Sequence, residues 1–365
     1  MLSMIQSYRL PSKPQFPGVN ESFGITVENL TSLRDTWLHN FNWEQEQALI
    51  NQLNHYTINL PPLQIHFIHH KSAHPNSIPI LLLHGWPGSF LEFIPLIQPL
   101  ISDPKTPFDI IIPSLPGFAF SSSPPGNWTL DDTARLFNTL MTDILGYETY
   151  AVHGTSHGVP VGFTLYDEFN KSVRAAHFVF MPFYPVDGGW IDKNGVVLSE
   201  LERFELERAE EWGREGNGYF VIQSTKPNTV GLAMYDNPVG QLAWIGEKYI
   251  DWSDPNAGNM NPSLLTTNEI LRAVSLYYLT NTFNSAIYTY AQDPGAWESQ
   301  YRRARTDAPM LVSFFKYNVG FWPREIMETV GNLTLYRNHE FGGNFAGLDN
   351  PAALVGDLRE IAKYW

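Results

Sequence analysis

Three short apolar runs do most to limit the fold. Ile78–Leu83 reads IPILLL and stops at His84-Gly85-Trp86-Pro87-Gly88; Phe108–Pro113 reads FDIIIP; Thr149–His153 reads TYAVH and stops at Gly154. Runs this short, ended by a Gly- or Pro-bearing turn, have the texture of strands covered on both faces, as in a parallel sheet. Between the second and third lies TLDDTARLFNTLMTDILG, where Leu130, Ala134, Phe137, Leu140, Met141 and Ile144 recur at helical spacing and Gly146 is placed to end the helix. Strand, helix, strand in that order predicts a βαβ unit and a mostly parallel central sheet, hence the α/β class. PMLVSFFKY and NLTLYR resume strand texture further on, and PAALVGDLREIAKYW closes with a helix carrying Leu354, Leu358 and Ile361 on one stripe.

The expected organisation has four parts. Residues 1–77 form an N-terminal extension, with a helix around Trp43–Leu53 and a break at Pro61–Pro62. Residues 78–184 are the first half of the α/β core, and residues 309–365 the second half. Residues 185–308, dense in Trp, Tyr and acidic side chains, are an inserted helical lid, in which SELERFELERAEEW is an amphipathic helix with Leu201, Phe204, Arg208 and Trp212 on its stripe.

Composition narrows the function. With 365 residues, 43% of them hydrophobic, the chain can bury a large core. Asp and Glu outnumber Lys and Arg by 37 to 23, and the resulting charge of −14 repels phosphate backbones, so nucleic acid is not an expected partner. The absence of cysteine removes disulfides, thiolate catalysis and Cys-ligated metals. No run approaches the ~18 apolar residues of a membrane span, and no signal-peptide pattern opens the chain, so a cytoplasmic protein without a transmembrane segment is expected.

Two turns carry chemistry. Gly154-Thr155-Ser156-His157-Gly158 follows a strand and precedes an apolar run suited to a helix, the setting of a nucleophile elbow. The His84–Gly88 turn, some seventy residues earlier, is placed to aim the Trp86 backbone N–H, with that of His157, at a developing oxyanion. His84 itself reads as structural.

At this level the chain resembles the microsomal-type epoxide hydrolases, with their N-terminal region. The strings that carry the resemblance are FNWEQEQALINQLNHY, LQIHFIHHKS, IPILLLHGWPGSFLEF, PSLPGFAFS, the elbow, YFVIQSTKPNTVG, NPVGQLAWIGEKYIDWSD, FWPREI and GGNFAGLDNP. The resemblance implies an α/β-hydrolase fold with a lid, no metal and no organic cofactor. It also implies an Asp nucleophile at the elbow, a His base after the last strand, an acidic third member, and two lid tyrosines that hold the epoxide oxygen. Position by position, Tyr219 and Tyr290 match the tyrosines and Glu325 the acid, whereas Ser156 stands for the nucleophile and Asn344 for the base.

That exchange has a chemical consequence. An Asp attacking an epoxide gives an ester, which water cleaves; a serine attacking the same carbon gives an ether, which water does not. The leading expectation is therefore an intramolecular cyclisation or isomerisation of an apolar metabolite, of the sort secondary metabolism makes, with the retained phenols polarising its oxygen. The competing readings are a serine esterase or lactonase using His339, His153 or His157 as a relocated base; epoxide hydrolysis without a covalent intermediate, Glu325 activating water; and a ligand-binding protein without turnover. A pocket-rim role for His153 belongs to the same set. The oligomeric state is left open, a homo-oligomer included.

Overall fold

In the computed structural model, residues 1–365 are described except 15, 17, 19, 20, 262 and 294. Eight strands form one sheet: β1 (His55–Leu60), β2 (Leu63–His70), β3 (Ile78–Leu83), β4 (Phe108–Pro113), β5 (Tyr150–Gly154), β6 (Val173–Phe178), β7 (Pro309–Tyr317) and β8 (Asn332–Gly343). Their order is β1-β2-β4-β3-β5-β6-β7-β8. β1, β2 and β4 pair antiparallel, and every pairing from β4 through β8 is parallel. Each residue of β3, β4 and β5 is buried, as strands sandwiched between helical layers must be.

The hairpin β1–β2 departs from what the sequence predicts for this region. Pro61–Pro62 does not end the ordered segment; it forms the turn between two strands paired from Leu60–Leu63 outward. β1 reads HYTINL, with His55, Ile58 and Leu60 partly buried and Tyr56, Thr57 and Asn59 exposed, so it carries no continuous apolar signal.

The crossover from β4 to β5 contains the helix Leu130–Thr139, closed at its N-terminus by a capping box between Thr129 and Asp132. It runs on as a π-helix to Ile144, and Gly146 takes a left-handed φ of 76°. Between β6 and β7 the chain leaves the sheet for seven α-helices and one π-helical turn among the described residues, from Gly188–Asn194 to Phe283–Gln292. The helix Glu200–Glu211 buries Glu205, Leu206 and Ala209. The stripe expected from Leu201, Phe204, Arg208 and Trp212 is partly buried beside them: the Phe204 ring meets Tyr317, the Arg208 guanidinium donates to the backbone oxygens of Tyr317 and Asp251, and Trp212 packs near Tyr219.

The N-terminal helix Val27–His39, an element beyond those expected from the sequence, packs on this insert. Its Trp37 is fully buried and donates Nε1–H to Ser275 Oγ at 3.0 Å. No described helix is long and apolar enough to cross a membrane.

Candidate active site

β3 and β5 lie side by side, with Leu83 opposite Gly154, so the turns that follow them emerge together at the carboxyl end of the parallel strands. The Thr155 N–H donates to the Leu83 oxygen at 3.0 Å and ties the two turns. Space there is tight. A Cβ on Gly85 would come within 2.3 Å of Ser156 Cβ, and one on Gly158 within 2.1 Å of the Leu83 oxygen. Ser156 itself has φ 47°, the left-handed conformation that L side chains adopt at a strained elbow. The helix Gly158–Glu168 follows at once.

Ser156 Oγ donates to the carbonyl oxygen of Trp86 at 3.1 Å, and among the described residues no histidine nitrogen or carboxylate lies within hydrogen-bond distance of it. The backbone N–H groups of Trp86 and His157 have no hydrogen-bond partner among the described residues. Burial pushes the His157 imidazole down to about 3, so it is neutral at physiological pH. Its Nδ1 is buried without a hydrogen-bond partner among the described residues, and its ring meets Tyr290 edge-on with centroids 4.2 Å apart.

Tyr219 (helix Gly218–Thr225) and Tyr290 (helix Phe283–Gln292) come down from the insert over the elbow. Their rings lie edge to face, 6.0 Å apart. Tyr219 stacks on Trp86 at 5.2 Å, and Trp252 sits 5.1 Å from Tyr219. Burial raises both phenols above their ordinary range, and the proximity of Tyr219 adds to the shift at Tyr290, so both hydroxyls keep their protons at neutral pH.

The cavity above the elbow has a volume of about 680 Å³, lined by Ser156, His157, Tyr219, Tyr290 and Asn344 together with Phe180, Trp212, Trp252 and Trp297. Its size suits a small organic molecule, and its wall is largely aromatic. Of the lining rings, Trp252 lies in a string that marks the resemblance and Trp212 on the expected stripe of its helix, while Phe180 and Trp297 carry no individual signal in the sequence.

The other sequence candidates divide. Asn344, immediately after β8, is buried on the cavity wall, its N–H donating to the Trp252 oxygen at 2.8 Å and its carbonyl accepting from Thr155 Oγ at 3.3 Å. Glu325 does not join it. It sits exposed in the first turn of the helix Arg324–Val330 and does not line the cavity. The residue buried just after β7 is instead Asn318, whose amide donates to the Val179 oxygen at 2.8 Å.

His153 is not at the pocket rim. On β5 it points into the sheet layer, its Nδ1 2.9 Å from His177 Nδ1, and His177 Nε2 in turn meets Ser313 Oγ at 3.0 Å. His339 is no relocated base either: its Nε2 lies 2.6 Å from Asp357 and its ring stacks on Phe315. Each imidazole is held by polar partners away from the elbow. His84 accepts from the Leu115 N–H at 3.1 Å, and burial lowers it to about 4. No three His, Cys, Asp or Glu among the described residues are grouped to hold a metal.

Comparison with known proteins places this architecture. Residues 2–93 match the epoxide hydrolase N-terminus family, and residues 78–214 match the alpha/beta hydrolase fold. The structure of Aspergillus niger epoxide hydrolase aligns with a TM-score of 0.86 at 34% identity, covering 100% of this chain and 92% of that one. The chain belongs to the epoxide hydrolase family. Other epoxide hydrolases are similar over the same extent. Juvenile hormone epoxide hydrolase from the silkworm Bombyx mori aligns with a TM-score of 0.88 at 26% identity, over 100% of this chain and 91% of its own. Juvenile hormone epoxide hydrolase 2 of Ctenocephalides felis is 29% identical over 386 residues, 96% of this chain and 80% of that one. Within the epoxide hydrolase fold, this chain presents at its elbow a hydroxyl held by a backbone oxygen, beneath two protonated phenols.

Proposed function

We propose that this member of the epoxide hydrolase family directs an intramolecular ring closure or isomerisation of an apolar epoxide-bearing metabolite in place of hydrolysis. One observation carries the reading: the Ser156 hydroxyl donates to the Trp86 oxygen, with no base in reach to take its proton. A serine so placed is an ordinary alcohol, a poor nucleophile at neutral pH. Glu325 is exposed and away from the cavity, and the two carboxylates that do line it, Asp187 and Glu210, accept from the backbone N–H groups of Trp190 and Gly188.

The retained groups suit a substrate that supplies its own nucleophile. The aromatic wall of the cavity can fold a flexible chain against itself, which converts an encounter into a positioned attack. Tyr219 and Tyr290 donate to the epoxide oxygen. As an internal hydroxyl forms the new C–O bond, the epoxide C–O bond breaks toward that oxygen. The proton lost by the attacking hydroxyl matches the one the new alkoxide gains, so the product is an isomer of the substrate. Relatives named as epoxide hydrolases support an epoxide as the electrophile.

The test is turnover of a long-chain epoxy alcohol, its hydroxyl three carbons from the ring, in oxygen-18 water. The expected product is a cyclic ether without heavy oxygen, formed by wild type and by Ser156→Ala at similar rates and lost about 10²-fold in Tyr219→Phe or Tyr290→Phe. A heavy-oxygen diol as main product, or loss of activity in Ser156→Ala, overturns the reading.

A further inference from the structure

Lys248 has no role in the chemistry described so far, yet it stands behind one of the two phenols. It belongs to the helix Pro238–Asp251, is 5% exposed, and places Nζ 5.1 Å from the centroid of the Tyr219 ring and 5.9 Å from that of Trp252. Its carboxylate partner is the adjacent residue, Glu247, at 2.6 Å. A surface lysine ordinarily lays its stem on apolar neighbours and carries the ammonium out to water. This one is enclosed. Consecutive helical residues do not face each other, so Glu247 has to lean over to reach it. Lysines are almost never buried to this degree unless paired, and the pair here is with a carboxylate that is itself partly exposed.

We propose that Lys248 is a positioning residue that sets the hydrogen-bond strength of Tyr219. A cation near an aromatic ring is attracted to its π electrons. The attraction grows as the ring takes on negative charge. When the Tyr219 hydroxyl gives up proton density to a developing alkoxide, that charge spreads into the ring beside which the ammonium sits. The donor is therefore strengthened most in the transition state, where the gain becomes rate. Trp86, stacked on Tyr219 at 5.2 Å, and Trp252 at 5.1 Å keep the ring from tilting away from the cation. Glu247, partly exposed, offsets some of the lysine's charge and so opposes the effect.

The proposal rests on the phenols being the oxygen clamp, and the experiment separates the two ideas. A long-chain primary amide carrying a carbon-13 carbonyl is bound to the full chain, and its C=O stretch is read by infrared difference spectroscopy. A stronger donor lowers the frequency. The band is expected to rise in Lys248→Met, to stay near wild type in Lys248→Arg, and to fall in Glu247→Gln, which frees the ammonium without opening a cavity. Turnover of the epoxy alcohol should drop about tenfold in Lys248→Met through kcat, with KM little changed, and return in Lys248→Arg. If Tyr219→Phe moves the band while Lys248→Met and Glu247→Gln leave it in place, the lysine is a packing residue and the proposal fails. If Tyr219→Phe itself leaves the band unmoved, the clamp reading fails with it. Should Lys248→Met not fold, the direction of the shift in Glu247→Gln decides.

Discussion

Ser156 and Trp86 are joined by a hydrogen bond of 3.1 Å that runs from the serine hydroxyl to a backbone oxygen. A catalytic serine would direct that proton to an imidazole. Here the side chain at the elbow is parked. A fluorophosphonate probe should therefore leave Ser156 unmodified after an hour at neutral pH, as read by intact-protein mass spectrometry; stoichiometric addition at Ser156 would show a base the geometry does not contain.

Placing a carboxylate at the elbow and an imidazole at position 344 should create covalent chemistry in steps. Ser156→Asp places a carboxylate beneath the phenols and should trap one equivalent of epoxide as an ester, seen as a mass increase equal to the substrate. Adding Asn344→His supplies a base on the cavity wall, and slow release as diol should follow. The release stays slow because the imidazole has no carboxylate behind it: Glu325 is exposed and outside the cavity. Rapid multiple turnover by the double variant would mean that Glu325 swings inward.

Gly85→Ala tests the closeness of the two turns. The new methyl would meet Ser156 Cβ at 2.3 Å and the His157 nitrogen at 2.5 Å, so backbone must move. Overpacking of this kind costs about 1–3 kcal/mol or more. A fall in melting temperature together with loss of turnover is expected; a variant unchanged in both would disprove the packing argument.

Glu205 gives a pH signature. Burial raises its pKa from 4.5 to about 8, against the opposing hydrogen bond from Asn338. A raised carboxyl contributes stability that is whole below its unfolded pKa and lost as pH rises toward the folded one. Between pH 4.5 and 8 the native state must keep a proton that the unfolded chain releases, at up to about 1.4 kcal/mol per pH unit. Glu205→Gln should thus be close to neutral near pH 4.5 and increasingly stabilising toward pH 8 in denaturant titrations. A stability difference independent of pH would contradict the assignment.

Trp37 anchors the N-terminal segment to the insert through Ser275 and full burial. Trp37→Ala should cost about 3–5 kcal/mol. Ser275→Ala, which removes only the hydrogen-bond acceptor, should cost about 1 kcal/mol. Equal losses in the two would place the anchoring in the hydrogen bond and not in the packing.

What could be read from sequence was whatever a local pattern encodes. Continuous apolar runs at Ile78, Phe108 and Tyr150 specified strands, because only a sheet covered on both faces buries every residue of so short a segment. Gly154-Thr155-Ser156-His157-Gly158 specified the elbow because its small residues admit the turn that the left-handed Ser156 requires. β1 escaped notice because it is half solvated, and the helix Val27–His39 because its inward face is set by the lid it meets.

Direction and distance were settled by the tertiary structure. A string such as FWPREI names Glu325 but not the side of its helix that faces the cavity, and the fold turns it outward. His153 and His339 are near the site in sequence and strand order, yet strand alternation and the partners His177 and Asp357 draw them elsewhere. Lys248 and Tyr219 lie on different helices, and only packing brings an ammonium to an aromatic ring. The chain's local chemistry fixes which groups exist; which of them share a cavity depends on contacts between segments far apart in sequence, and no local pattern contains those.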